Sequence, residues 1–234
     1  MGPLVAWTPV GRSLRSGFWC VGAPCWNRTV SFFDRNRAEL AARGIDPARL
    51  PPGQYSTDRF PVLHVGDVPD YGDLSGWDLQ VGGLVDRELT LSWSDLLDRP
   101  SVEVMTDIHC VTKWSKFDTL WKGCSLAELL LEAGVGSEAT HVMFHCEFGY
   151  TTNVPLIDLL EPRVALLAYE FDGQPLTGEH GYPLRTLVPH LYLWKSAKWI
   201  RSIELMNGDR PGFWERNGYS MYGDPFREQR LSAD

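Results

Sequence analysis

The sequence predicts an α+β chain in which mixed β-sheets carry the core and the helices are short. Three observations predict it. Apolar and polar residues alternate with a period of two over several short runs, glycine and proline turns separate those runs in place of long regular helices, and one stretch has a clear helical period. Hydrophobic residues make up 44% of the 234 and aromatics 12%, with ten tryptophans, so one continuous core is expected rather than two independent domains.

Residues 1–33 are rich in Gly, Pro, Arg and Trp without sustained period and read as an irregular arm before a domain over 34–234. Arg35 to Arg43 predicts a short helix stopped by Gly44, ahead of the Pro51-Pro52-Gly53 turn. Trp77 to Val81 alternates as a strand, Gly82-Gly83 predicts a turn, and Leu89 to Leu91 a partner strand before a short helix capped by Ser92 or Ser94. Ser101 to Ile108 alternates, which places His109 and Cys110 at the end of a strand, where a rigid support can carry a site. Ser125 to Ala133 is the clearest helix, with Ser125 and Glu128 in capping-box spacing and Gly134 as its stop. Further strands are expected over 141–145, 164–171, 184–188 and 199–205. The tail from Asn207 is rich in Gly, Trp and Tyr and reads as an aromatic cover.

The net charge of −8 and a pI near 5.2 exclude a broad attraction to nucleic acid or anionic lipid, so any anion site must be local. No apolar run approaches the ~18 residues that span a bilayer. The five cysteines, at 20, 25, 110, 124 and 146, have no disulfide-framework spacing, and the first two form a C-x4-C unit inside the arm. A reducing compartment fits them. Arg12 and Arg15 are followed by an interrupted apolar stretch rather than an export signal, so cytoplasmic residence is expected.

All five lysines fall at 113, 116, 122, 195 and 198, while the other basic residues are arginines. Either the genome rarely writes lysine, or lysine persists where a compact charge meets a phosphate or oxyanion. Cys110 reads either as a small buried hydrophobe or as a thiolate favoured by Lys113 and Lys116. His109-Cys110 and His145-Cys146 suggest a zinc-binding structural module, against which stands the opposite facing of neighbours on a strand. A cysteine hydrolase with His109, His145 or His180 as base has no fixed triad. Arg185, Lys195 and Lys198 lie among apolar residues and want a partner, which an anionic ligand also touching the Ser196 hydroxyl would supply. No GxGxxG opens a helix and no GxxxxGK[ST] occurs, so a dinucleotide fold or P-loop has no support.

The run Leu166-Leu167-Ala168-Tyr169-Glu170-Phe171-Asp172-Gly173-Gln174-Pro175-Leu176, continued by His180-Gly181-Tyr182-Pro183-Leu184-Arg185 and Lys198-Trp199 downstream of Cys110, resembles the molybdopterin-binding domain of the sulfite oxidase superfamily. That superfamily includes the catalytic subunit of bacterial protein-methionine-sulfoxide reductase and short sulfite oxidase-like proteins. The resemblance runs from about Pro51 to Tyr219. It implies a molybdenum-molybdopterin (Mo-MPT) cofactor with Cys110 as the protein thiolate on the metal, a role that suits a soft ligand. It further implies cofactor contacts from His109, His180, Arg185, Ser196, Ala197 and Lys198, from Thr57, Asp58, Arg59, Phe60 and Pro61 early in the chain, and from Cys146. Tyr219 looks like the tyrosine that faces the metal in sulfite oxidases.

Where sulfite oxidases place arginines after the metal-binding cysteine, this sequence reads Lys113-Trp114-Ser115-Lys116. A lysine lacks the planar fork, which points away from sulfite and toward a bulkier or less charged S-oxide or N-oxide shaped by Lys113, Trp114 and Tyr219. The expected function is therefore oxygen-atom transfer to or from a small substrate. No haem or dimerisation domain of the family is matched, which implies a separate electron-transfer partner: a cytochrome, a flavoprotein or a quinone-linked protein. A non-catalytic molybdopterin carrier and the zinc module are the rival readings.

Overall fold

The computed structural model describes residues 32–160 and 165–233. The expected arm over 1–33, with Cys20 and Cys25, lies outside them except for its last two residues, which open α1 (Phe32–Ala42). A 3-10 turn at Pro47–Arg49 follows, where the Asp46 carboxylate accepts the Ala48 N–H at 2.9 Å. Next come β1 (Tyr55–Ser56), β2 (Asp78–Gly83), β3 (Leu89–Ser92), α2 (Trp93–Leu97), β4 (Ser101–His109), β5 (Trp114–Ser125) and α3 (Leu126–Ala133). The chain continues through β6 (His141–Cys146), β7 (Thr151–Pro155), α4 (Ile157–Leu160), β8 (Leu166–Phe171), β9 (Gln174–Pro175), β10 (Arg185–Leu187), β11 (Ile200–Met206) and α5 (Phe213–Arg216).

Among the described residues, the strands form two mixed sheets. In the six-stranded sheet the order is β1-β5-β8-β10, with β4 also on β5 and β9 also on β8; in the five-stranded sheet it is β3-β2-β11-β6-β7. The β1/β5 and β2/β11 pairs are parallel and the rest antiparallel. Mixed sheets with short helices are thus what the alternation and the turn spacing predicted.

Local chemistry accounts for the clear elements. Ser125 caps α3 by accepting the Glu128 N–H at 3.3 Å, and Leu126, Leu129, Leu130 and Ala133 lie buried at helical spacing. That face packs with Leu79, Val81, Val142, Phe144, Ile203 and Leu205 of the five-stranded sheet in the larger core cluster. Ser92 and Asp95 form a reciprocal capping box on α2.

One expectation is corrected, and one long strand was not foreseen. Gly82-Gly83 is not the hairpin turn: β2 runs through both glycines, because a Cβ at Gly83 would lie 2.4 Å from the Leu205 carbonyl oxygen of the parallel strand β11. The glycines serve close strand approach. The long strand β5 escaped the alternation test because it lies between β4 and β8 and is buried on both faces at Trp114-Ser115 and Gly123-Cys124, with Asp118 at φ 52 interrupting the period. Gly123 has the same reason to lack a side chain, since a Cβ there would meet Leu167 O at 2.1 Å.

Candidate active site

Cys110 sits at the tip of the β4/β5 hairpin. Its N–H donates to Trp114 O at 2.8 Å and its carbonyl accepts from Lys113 N at 3.0 Å, a tight turn that holds Lys113 at φ 75. Gln54 Nε2 donates to the same carbonyl at 3.1 Å, and the Thr112 hydroxyl donates to Cys110 Sγ at 3.1 Å. Burial pushes the Cys110 thiol up, with Thr112 opposing. An unligated Cys110 therefore stays protonated at neutral pH, and a metal would displace that proton.

The thiol is not sealed in packing. It lines a cavity of about 320 Å³ shared with Arg185, Ser196, Ala197 and Lys198 from the far end of the chain, and with Phe60 and Pro61 from the loop after β1. Segments more than 70 residues apart in sequence meet there.

Arg185 is 1% exposed, and its guanidinium hydrogen bonds end on backbone carbonyls: His180 O at 2.9 Å, Ser196 O at 3.0 Å and Thr186 O at 3.3 Å. Burial draws it down to about 10. Lys198 Nζ donates to Leu63 O at 2.9 Å and Glu179 O at 2.6 Å, and burial, with repulsion from Arg185, brings it down to about 7. Two neighbouring cations, Arg185 buried and Lys198 half-buried, whose hydrogen bonds end on carbonyls rather than carboxylates make a local site for an anion, as the acidic chain as a whole does not. The Trp114 indole N–H is a further buried donor on the wall with no hydrogen-bond partner.

This donor set fits a phosphate-bearing pterin with a thiolate-bound metal. Cys110 offers the soft ligand, Arg185 and Lys198 the positive charge, and the wall a donor that lacks an acceptor. Because an anion favours the ammonium form of Lys198, sulfate should bind the cofactor-free protein roughly tenfold tighter at pH 6 than at pH 8. The charge of sulfate is constant over that range. Calorimetric titration checks this, and Lys198→Met should flatten the pH dependence.

Other expected contacts lie elsewhere. His109 does not line this cavity: its Nδ1 bonds the Ser115 hydroxyl at 2.9 Å, and it faces a second cavity with Arg49, Asp107, His190 and Phe226, because neighbours on a strand point to opposite sides. Thr57, Asp58 and Arg59 stop short of the cavity. Thr57 Oγ1 accepts the Arg59 N–H at 3.1 Å, and Asp58 pairs with Arg43 at 3.0 Å. His180 also stops short: Nε2–H donates to Phe60 O at 3.1 Å, Nδ1 accepts from the Thr177 hydroxyl at 2.9 Å, and the ring lies 4.1 Å from that of Phe60, so it buttresses a wall residue. Ser196 lines the cavity, but its hydroxyl accepts the Val188 N–H at 2.9 Å and braces the chain.

Cys146 is buried outside the lining, its thiol raised by burial. Lys113 is exposed in the hairpin turn and also outside, whereas Trp114 and Tyr219 both line the cavity. Among the described residues no three His, Cys, Asp or Glu side chains converge on a metal, and His145 bonds Glu204 at 2.9 Å, so the zinc reading loses its ligands.

Lys195, grouped with the anion-seeking cations from sequence, is completely buried against Glu215 at 2.6 Å, with Asn153 O and Oδ1 both at 2.9 Å. Trp194 Nε1 donates to the same Glu215 oxygen at 2.8 Å. This pair ties the segment before Ser196 to α5, whose Trp214 walls the cavity together with Tyr219 just beyond the helix. Trp199, the end of the family-like run, also lines it, as do Tyr150, Trp194 and the loop residues Leu63 to Val65, which were not singled out from sequence. Their only signal there was the high tryptophan count.

A family model described as the oxidoreductase molybdopterin binding domain matches residues 65–214. The chain is 53% identical over 186 residues to the uncharacterized oxidoreductase YuiH of Bacillus subtilis, covering 80% of this chain and 93% of that protein. It is 31% identical to the protein-methionine-sulfoxide reductase catalytic subunit MsrP of Gluconobacter oxydans, covering 63% of this chain and 52% of that one. Among solved structures, the sulfane dehydrogenase SoxCD of Paracoccus pantotrophus superposes with a TM-score of 0.54 at 20% identity, over 67% of this chain and 42% of that chain, a likeness of fold alone.

Proposed function

This chain belongs to the oxidoreductase molybdopterin-binding domain family of the sulfite oxidase superfamily, and from that premise we propose that it exchanges an oxygen atom with a small S-oxide, N-oxide or sulfite-like substrate at Cys110. The carrying observation is the one cavity shared by Cys110, the buried Arg185 and the half-buried Lys198.

When bound, the molybdenum-molybdopterin cofactor supplies a metal that exchanges an oxygen atom and two electrons. Cys110 would hold the metal through its thiolate, and Arg185 and Lys198 would hold the pterin phosphate. Ala197 N–H donates to the Thr186 hydroxyl at 2.6 Å, so the backbone between the two cations is fixed before any ligand arrives. Tyr219, raised by burial and by the nearby Cys110, keeps its phenolic proton and offers it to the substrate oxygen. The tryptophan walls keep bulk water from the reacting atoms, which strengthens each of these contacts.

Electrons pass to or from a separate cytochrome, flavoprotein or quinone-linked protein. Cys110, Cys124 and Cys146 are free thiols, which supports residence in a reducing compartment such as the cytoplasm. No described helix is long and apolar enough to cross a membrane.

Metal and pterin analysis of the purified protein tests the proposal together with a dye-linked screen of S-oxides, N-oxides and sulfite. About one molybdenum per chain with turnover is the expected result. Molybdenum without turnover would mark a carrier, and zinc or no metal would overturn the assignment.

A further inference from the structure

Thr112 lies at the tip of the β4/β5 hairpin and lines the cavity beside Cys110. Its hydroxyl donates to Cys110 Sγ at 3.1 Å, a contact with no part in holding phosphate or substrate. The turn that carries it is pinned from several sides. Lys113 N–H donates to Cys110 O at 3.0 Å, and Cys110 N–H donates to Trp114 O at 2.8 Å, which closes the turn on itself. From β1, Tyr55 N–H donates to Lys113 O at 2.9 Å, and the adjoining Gln54, a side chain with no exposure, donates through Nε2 to Cys110 O at 3.1 Å. The backbone on either side of Thr112 is therefore fixed, and the hydroxyl is held against the sulfur.

The other groups that act on this sulfur carry the same electrical sign. The backbone N–H groups of Val111 and Thr112 and the Lys198 ammonium all favour a negative sulfur. The Thr112 hydroxyl is the member of that set which a substitution removes without altering the backbone or the phosphate-holding cations. A hydrogen bond donated to a thiolate draws electron density away from it and leaves less to pass to a bound metal. Reduction of the metal leaves more negative charge on its sulfur ligand, and a donor bonds more strongly to the more negative acceptor. Such a donor stabilises the reduced form over the oxidised one.

Resting on the oxidoreductase reading above, we infer that Thr112 is a positioning residue whose hydroxyl, by donating to Cys110 Sγ, raises the reduction potential of the metal that Cys110 holds. No bond is made or broken at Thr112. The electrons that reduce the metal come from the partner protein in the cell, or from dithionite in the assay. A higher potential makes the metal easier to load with electrons and less ready to pass them to a substrate, so this hydroxyl biases the direction of oxygen-atom exchange.

Potentiometry of the molybdenum-loaded protein, poised with dithionite and ferricyanide and read by the paramagnetic signal of the singly reduced metal, measures that potential without substrate. Thr112→Val keeps the branched shape and lacks the hydroxyl, whereas Thr112→Ser keeps the hydroxyl. Thr112 is exposed, so neither change removes core packing. In Thr112→Val the oxidised form should gain about threefold to tenfold over the reduced one, a fall of about 28–59 mV for a one-electron step. Molybdenum content should be unchanged, and Thr112→Ser should return the potential to that of the parent. A Val variant with the parent's potential, or a Ser variant that shifts as far as Val, would overturn the tuning role while leaving the oxidoreductase reading intact. Loss of molybdenum from Thr112→Val alone would also overturn it, since the hydroxyl then helps to make the metal bond rather than adjust it. A parent protein without molybdenum would overturn the oxidoreductase reading and the tuning role together.

Discussion

Cys110→Ser should strip the protein of molybdenum and lower turnover by at least about a hundredfold, since even residues that only orient metal ligands cost 10–100-fold when changed. The fold should survive. The bonds that shape the hairpin tip run through the Cys110 backbone, to Trp114 O, Lys113 N and Gln54 Nε2, and serine keeps all three. What changes is the donor. A serine oxygen is a harder and less electron-donating ligand than a thiolate, so the metal would lose the sulfur donor that sets its reactivity. Elemental analysis with a thermal melt separates loss of the ligand from loss of the fold. A serine variant that kept its molybdenum and full turnover would remove Cys110 from the metal.

Lys195→Met should cost about 3–5 kcal/mol of stability, because it leaves the Glu215 carboxylate buried without its cation. For a domain of this size that is a fall of about 6–20 °C in melting temperature. Both side chains are completely buried at a separation of 2.6 Å. The double variant Lys195→Met/Glu215→Leu should recover most of the loss, since it removes both charges together. If the two single variants melted like the parent protein, the pair would not be what braces α5 against the cavity wall. Glu215 also accepts from Trp194, so the single variants should lower Trp194 ordering by fluorescence as well as stability.

These two residues mark which positions local sequence could place and which it could not. Cys110 was legible because a strand pattern ends just before it and a downstream family-like run gives it a partner region. Lys195 was misplaced among the anion-binding cations because spacing from Lys198 says nothing about Glu215, twenty residues on and folded back beneath Trp194. The helix over 126–133 was legible from its apolar period and Ser125 cap, which are local. The strand over 114–125 was not, because burial on both faces erases the alternation that signals a strand. Glycines 82 and 83 were read as a turn, the usual local meaning, whereas their role is to admit β11.

The chain's order of residues settles short-range matters: where strands and helices begin, that the core needs mixed sheets, and that Cys110 stands at a strand end. Those depend on backbone geometry and on neighbours within a few positions. The assembly of the sheets settles which side of that strand end opens on the cavity, so that Cys110 meets Arg185 and Lys198 while His109, one residue away, faces a different one. The facing of a side chain alternates along a strand by local rule, but which face meets which distant segment is decided only when the sheets pack.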